Sequence, residues 1–195
     1  MSELMESIAG ILRRRVLFPL GMDLSLRNED RRVLHETIFP YLLARTDLNR
    51  ILFVGCEIYT HSYNRLFAKK EYHTIEPAPE RAKYGSRRHV VDTMENMSRH
   101  YAPGSFDAII CNGVFGWGLN ETSAAECALR AAAHCLRQQG LLVIGWDDVP
   151  QRRPFAPLEL NALRAFEPFV LPPLGQSEYL TQTASRHTYN FFVKT

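Results

Sequence analysis

The chain has 195 residues, of which 46% are hydrophobic and 23% charged, a composition that excludes a disordered tail and a fibrous repeat and fits a globular domain with a substantial core. Lys and Arg number 23 against 21 Asp and Glu, so the formal charge of +2 gives no general attraction to nucleic acid or anionic lipid. No apolar stretch approaches the roughly 20 residues that cross a bilayer and no signal peptide is evident, so we expect a cytoplasmic protein that binds no membrane.

Two helical patterns, at about residues 2–15 and 29–44, precede the rest of the chain and are joined by the helix-breaking sequence FPLG at residues 18–21. Asn28 is in position to cap the second helix. We therefore divide the chain into an N-terminal helical extension or lid over residues 1–47 and an α/β domain over residues 48–195. The extension either covers a site, contacts RNA, or packs on the domain as an ordinary helix.

From about residue 48, short apolar runs alternate with helical patterns, and this alternation predicts a mainly parallel sheet covered on both faces. Seven strands are predicted, at residues 51–54, 72–75, 89–91, 106–111, 141–145, 169–171 and 188–193. Helices are predicted at residues 61–69 and 121–137. No good helix separates the last two strands, which are therefore predicted to pair antiparallel.

The cysteines form no CxxC pair and no spacing typical of zinc. We expect reduced thiols and no bound metal. Cys56 and Cys111 lie inside apolar runs, where a cysteine usually behaves as a small hydrophobic residue and not as a catalytic group.

Three successive predicted strands end in residues suited to a nucleoside. Gly55 follows the first strand, Glu76 the second and Asp92 the third. The carboxyl ends of parallel strands border the ligand crevice of a doubly wound sheet, and an acid after the second strand can accept hydrogen bonds from ribose hydroxyls. Together these three residues predict an adenosine-shaped site.

The succession of segments resembles that of the class I S-adenosylmethionine-dependent methyltransferases. The matching segments lie between residues 49 and 195 and read ILFVG, YHTIEP, HVVD, SFDAIICNGVF and ALRAAAHCLRQQGLLVIGW. The resemblance implies a Rossmann-like, doubly wound α/β fold whose seven-stranded, mostly parallel sheet has the order 3-2-1-4-5-7-6, with strand 7 antiparallel. It also implies S-adenosyl-L-methionine as the cofactor.

The resemblance assigns cofactor-binding roles to five positions. Gly55 would border the methionine portion of the cofactor, and Glu76 would hold the ribose hydroxyls. Asp92 would face the adenine amino group, and Met94 would pack on the adenine face. Asn112 would line the cleft near the sulfonium.

The first motif departs from the family pattern of an acid followed by glycines at alternate positions, because this chain has Phe53, Gly55, Glu57 and Tyr59 there. The Glu57 carboxylate would either obstruct the cofactor's carboxylate or hold its ammonium group. Tyr59 and Tyr63 make the loop bulky and polar, and we assign them to the substrate pocket.

Methyl transfer from a sulfonium needs mainly proximity, orientation and exclusion of water, so a catalytic base is optional. The candidate bases are His61 after the first strand and Asp147 or Asp148 after the fifth, because strand ends face the cleft. Trp117, between two glycines, either stacks on a flat or cationic acceptor or plugs the edge of the sheet.

These features predict a methyltransferase that uses S-adenosyl-L-methionine and acts on a small-molecule acceptor by in-line transfer. One alternative is an enzyme that uses the same cofactor for cyclisation or aminocarboxypropyl transfer, and another is a noncatalytic partner subunit of the same fold. The near-neutral charge argues against a nucleic-acid substrate. The sequence leaves a homodimer open and does not identify the acceptor.

Overall fold

The computed structural model describes residues 10, 12–20, 22, 24 and 28–195. Its described part contains one sheet of eight strands. They are β1 (Arg50–Val54), β2 (Glu71–Ile75), β3 (Arg88–Val90), β4 (Phe106–Asn112), β5 (Leu136–Asp147), β6 (Phe166–Pro168), β7 (Glu178–Leu180) and β8 (His187–Lys194).

The strands have the order β3-β2-β1-β4-β5-β8-β6, and the short strand β7 also pairs with β8. Strands β1 to β5 are parallel to one another, whereas β8 runs antiparallel to β5, β6 and β7. The predicted α/β fold is confirmed, with β8 in the place of the expected seventh strand. The difference in number arises because β7 forms just before β8 and extends its outer edge.

The sixth strand begins earlier than predicted, at Phe166, because the backbone pairing starts where the Phe166 ring packs against Phe192. The apolar run predicted as a strand, residues 169–171, continues this edge. Phe169 N–H donates to the Phe191 carbonyl at 2.8 Å, and Leu171 is fully buried. Only Leu171 of this apolar run is buried, since Val170 is 56% exposed, and the run forms no regular ladder.

Residues 29–44 are helical throughout, as predicted, and consist of α1 (Glu29–Val33), a π-helical segment (Leu34–Ile38) and α2 (Phe39–Ala44). Asn28 caps α1, since its side chain accepts a hydrogen bond from Arg31 N–H. The remaining α-helices are α3 (Tyr63–Leu66), shorter than expected, and α4 (Thr122–Cys135). The predicted helix at 2–15 lies mostly outside the described residues, which include a π-helical turn at Arg13–Leu17.

Two apolar cores lie on the two faces of the sheet. On one face α4 packs through small residues such as Ala128 and Ala132. On the other face residues 29–44 pack through Leu34 and Ile38, which are fully buried. None of the described helices is long and apolar enough to span a membrane.

Asp30 joins the start of α1 to the loop between β7 and β8. Its carboxylate accepts hydrogen bonds from the hydroxyls of Thr181, Thr183 and Ser185 at 2.8, 2.6 and 2.6 Å. Burial raises the pKa of Asp30, but the three hydroxyl donors outweigh it and hold the pKa below its ordinary value. The ionised carboxylate therefore stabilises the folded chain.

We expect Asp30→Asn to lower the free energy of unfolding by about 1 to 2 kcal/mol at neutral pH, because the amide accepts fewer of these bonds. The folded-state pKa lies below the unfolded one, so this stabilisation is fully present above about pH 4 and is lost as the pH falls through the folded pKa. Urea denaturation at pH 7 and at pH 3 measures both effects.

Glu29→Gln is the matched control, since Glu29 is the preceding acid and its ion pair with Arg32 is exposed. Such a pair contributes roughly 0.5 kcal/mol. Two results would show that the Asp30 carboxylate does not hold the two segments together. One is an equal loss of unfolding free energy in the two variants, and the other is a loss in Asp30→Asn that is the same at pH 3 as at pH 7.

Candidate functional site

A cavity of about 580 Å³ opens at the carboxyl ends of β1, β2, β4 and β5. Eight of the residues predicted from the sequence line it. They are Gly55, Glu57, Tyr59, Glu76, Met94, Asn112, Trp117 and Asp147. The cavity lies where a doubly wound sheet binds its ligands.

The loop after β1 is folded tightly against β2. Gly55 has φ of 87°, a conformation that favours glycine, and its N–H donates to the Ile75 carbonyl at 2.9 Å. Glu57 caps the 3₁₀ turn that follows, because its carboxylate accepts from Ile58 N–H at 2.8 Å while Thr60 Oγ1 accepts from Glu57 N–H. The Glu57 side chain is thus held by its own turn.

Glu76 is a buried carboxylate at the end of β2, with 6% of its surface exposed. One oxygen accepts from Cys56 N–H at 3.0 Å, and the other accepts from Ala78 N–H at 3.1 Å. Arg81 lies 3.7 Å away. A carboxylate has about four acceptor positions, so two remain for a ligand in the cavity.

Asp92 and Met94 both follow β3, but their side chains have different surroundings. Met94 is buried on the cavity wall. The Asp92 carboxylate instead accepts from His100, Asn96 and Thr93 N–H at 2.7, 2.8 and 2.7 Å, and these bonds lower the pKa of Asp92 to about 2. Asp92 is absent from the cavity lining among the described residues.

His61 and Tyr63 also lie off the cavity wall. The His61 ring packs edge-on against Phe18 at 4.9 Å between ring centroids. Tyr63 is buried against Phe39 and Phe53, and its hydroxyl lies 2.8 Å from His35 Nε2. Tyr63 therefore belongs to the core that supports the site.

Three polar side chains form a continuous chain at the ends of β4, β5 and β8. Asp147 Oδ1 lies 2.5 Å from His187 Nδ1, and His187 Nε2 lies 2.9 Å from Asn112 Oδ1. Asn112 Nδ2 is buried and has no hydrogen-bond partner among the described residues. Gly145 makes room for this chain, since a Cβ there would lie 1.9 Å from Asn112 Oδ1.

Trp117 stands at the rim with 57% of its surface exposed. Its Nε1–H donates to Asp147 Oδ2 at 3.3 Å, and the Arg152 guanidinium lies 3.4 Å from the centre of its ring. Arg152 occupies one ring face, so a ligand that stacks on Trp117 would use the other.

Sequence reasoning missed Arg31 and His187, which both line the cavity. The register of the antiparallel strands carried a signal for His187, because pairing of β5 with β8 sets Asp147 opposite His187. Arg31 had no such signal, since only the packing of the helical stretch on the sheet brings it to the cavity. Its guanidinium lies 5.0 Å from the centre of the Tyr59 ring.

No protein-family model and no curated protein matches the sequence. Solved structures match the fold. The N-methyltransferase NodS from Bradyrhizobium japonicum WM9 has a TM-score of 0.65 at 16% identity, over 86% of this chain and 98% of that chain. A TehB-like SAM-dependent methyltransferase from Corynebacterium glutamicum has a TM-score of 0.61 at 18% identity, over 97% and 98% of the two chains.

A third similar structure is the T. thermophilus 16S rRNA N2 G1207 methyltransferase in complex with AdoMet and guanosine. It has a TM-score of 0.55 at 14% identity, over 88% of this chain and 40% of that one. Identities this low establish architecture and not activity. The described chain has the fold of the class I S-adenosylmethionine-dependent methyltransferases.

Proposed function

We propose that the protein is a methyltransferase that uses S-adenosyl-L-methionine and transfers the methyl group to a small-molecule acceptor. The observation that carries this proposal is the buried Glu76 carboxylate at the end of β2, which lines the cavity together with Gly55. A carboxylate at this position of a doubly wound sheet suits a ribose diol. The methyltransferases of the same fold support the reaction class.

The residues of the cavity fit the cofactor. Two lone-pair positions of Glu76 remain for ribose hydroxyls, and buried Met94 offers an apolar surface for adenine. Gly55 keeps the loop after β1 free of a side chain beside Val114. The orphaned Nδ2 of Asn112 lacks an acceptor that a ligand would supply.

When bound, the cofactor supplies an activated methyl group on a sulfonium, so the chain's own work is to orient the acceptor and exclude water. Asp147 is the base that the cavity supports, because it lies on the wall whereas His61 does not. His187 and Trp117 fix the two oxygens of the Asp147 carboxylate. A proton leaving the acceptor would pass to Asp147.

The N-terminal extension, residues 1–47, contributes to the wall in this proposal through its described residues Asp30 and Arg31, which reach the cavity from α1. A small acceptor fits the volume of about 580 Å³ better than a polymer does. The formal charge of +2 also gives no general attraction to RNA.

Calorimetric titration with S-adenosylhomocysteine tests the cofactor, and we expect micromolar binding. Transfer of a labelled methyl group to a panel of small molecules then tests the reaction, with S-adenosylhomocysteine as the product. Release of methylthioadenosine instead would indicate aminocarboxypropyl transfer. Absence of heat, and of a thermal shift at millimolar ligand, would favour a noncatalytic subunit.

We expect Trp117→Ala to raise the KM for the acceptor at least about tenfold, because an aromatic face and the support of Asp147 are both lost. Cofactor affinity should stay within about twofold. Trp117→Phe separates the two effects, since it keeps a flat ring without the indole N–H. If Trp117→Ala weakens S-adenosylhomocysteine and leaves the acceptor KM unchanged, Trp117 belongs to the cofactor site.

A further inference from the structure

One buried hydrogen-bond donor on the cavity wall lacks an acceptor among the described residues. Asn112 is 4% exposed, and its Nδ2 has no partner among the described residues. A buried amide N–H without an acceptor is costly, so native proteins rarely keep one unless a water or a ligand satisfies it.

Arg31 presents the second set of donors. Its guanidinium reaches the Tyr63 hydroxyl only at 3.5 Å and lies over the Tyr59 ring. In the described part of the chain no carboxylate comes within 4.0 Å of it. A partly buried cation beside two aromatic side chains favours an anionic partner.

Arg31, Asn112 and Gly113 line the same cavity. Arg31 Nη2 lies 3.6 Å from the point where a Cβ of Gly113 would stand, and Asn112 is the preceding residue. Two acids on the same wall are engaged elsewhere. Asp30 holds three hydroxyls, and Asp147 holds His187 and Trp117.

We infer that Arg31 and Asn112 form a subsite for a carboxylate group of the ligand that the cavity binds. The planar guanidinium matches a carboxylate in a two-pronged arrangement, and the amide adds a third donor. His187 Nε2 lies 2.9 Å from Asn112 Oδ1, so Nδ2 lies on the side of the amide away from that contact. This inference rests on the proposed function, because the carboxylate would belong either to the amino-acid end of the cofactor or to an acidic acceptor.

The first arm of the test asks whether the cofactor carries this carboxylate. S-adenosylhomocysteine and its decarboxylated analogue, S-adenosyl-3-thiopropylamine, are titrated into the full chain and into Arg31→Gln. If the cofactor supplies the group, the substitution weakens S-adenosylhomocysteine at least about tenfold more than the amine. Arg32→Gln is the matched control, because Arg32 is the adjacent arginine and pairs with exposed Glu29.

The second arm asks whether an acceptor carries it. Binding of 4-fluorobenzoate and of 4-fluorobenzamide to the protein, with and without S-adenosylhomocysteine, is followed by ¹⁹F NMR. If an acceptor supplies the carboxylate, the benzoate binds saturably and Arg31→Gln weakens it at least about tenfold, while the benzamide is unaffected. Asn112→Asp, which replaces the free donor with a negative charge, should weaken the carboxylate ligand in either arm.

An Arg31-dependent preference for a carboxylate in either arm supports the subsite and identifies its source. If neither arm shows such a preference, and circular dichroism shows that the variants are folded, the proposed subsite is overturned. If neither adenosyl ligand binds the unmodified chain, the proposed function fails, and the fluorobenzoate arm still decides the subsite.

Discussion

Gly145→Ala is expected to lower the free energy of unfolding by about 2 to 3 kcal/mol and the melting temperature by about 5 to 10 °C. The added Cβ would lie 1.9 Å from Asn112 Oδ1 and 2.9 Å from His187 Nε2. Both side chains are buried, and Gly145 itself lies in the middle of the sheet, paired with Asn112 on β4 and Tyr189 on β8. The strand therefore has little freedom to move away.

The physical cause is the displacement of the Asp147–His187–Asn112 chain, so ligand binding should fall along with stability. Thermal melts and titration with S-adenosylhomocysteine measure the two effects on the same samples. Gly118→Ala is the control, because no described atom beyond its two chain neighbours lies within 4 Å of the added Cβ. Its stability should change by less than about 0.5 kcal/mol.

A double-variant cycle identifies the clash. The Asn112→Ala substitution removes Oδ1 and Cγ of Asn112, which lie 1.9 and 2.9 Å from the added Cβ. In this background the free-energy cost of Gly145→Ala should therefore fall by at least about 1 kcal/mol. If Gly145→Ala costs the same in both backgrounds, the strain lies in the strand and not in the polar chain.

Local residue patterns were sufficient to predict the strands that position the site. The apolar runs at β1, β2 and β4 end in Gly55, Glu76 and Asn112, and each of these residues lines the cavity. The carboxyl ends of parallel strands meet at one edge of the sheet, so residues that follow different strands lie close together in space. The residues of these strands that line the cavity could therefore be predicted from the sequence.

Residues that reach the cavity from outside these strands could not be predicted from the sequence. Arg31 reaches the cavity because residues 29–44 pack on the sheet, and no spacing in the sequence records that docking. Asp92 shows the opposite case, since it has the expected position at the end of β3 but its carboxylate is bound by His100. A side chain's local partner decides where it points, and residue type at a strand end does not reveal that partner.

Glu76→Gln is expected to weaken S-adenosylhomocysteine at least about tenfold. A hydrogen bond to a charged acceptor contributes roughly 1.5 to 3 kcal/mol, and the neutral amide would serve the ribose hydroxyls poorly. Both carboxylate oxygens already accept backbone N–H groups, from Cys56 and Ala78, so the new NH₂ must face one of these donors. Glu76→Gln should therefore also destabilise the fold by about 1 to 3 kcal/mol.

Glu71→Gln separates loss of binding from loss of folding. Glu71 lies at the other end of β2 and pairs with Arg50 and His73, far from the cavity edge of the strand. It should lose about 1 kcal/mol or less in stability and retain full affinity, measured by calorimetry well below the melting temperature. If folded Glu76→Gln binds S-adenosylhomocysteine as tightly as Glu71→Gln does, Glu76 serves only to brace the loop after β1, and the ribose must be held by another group of the cavity.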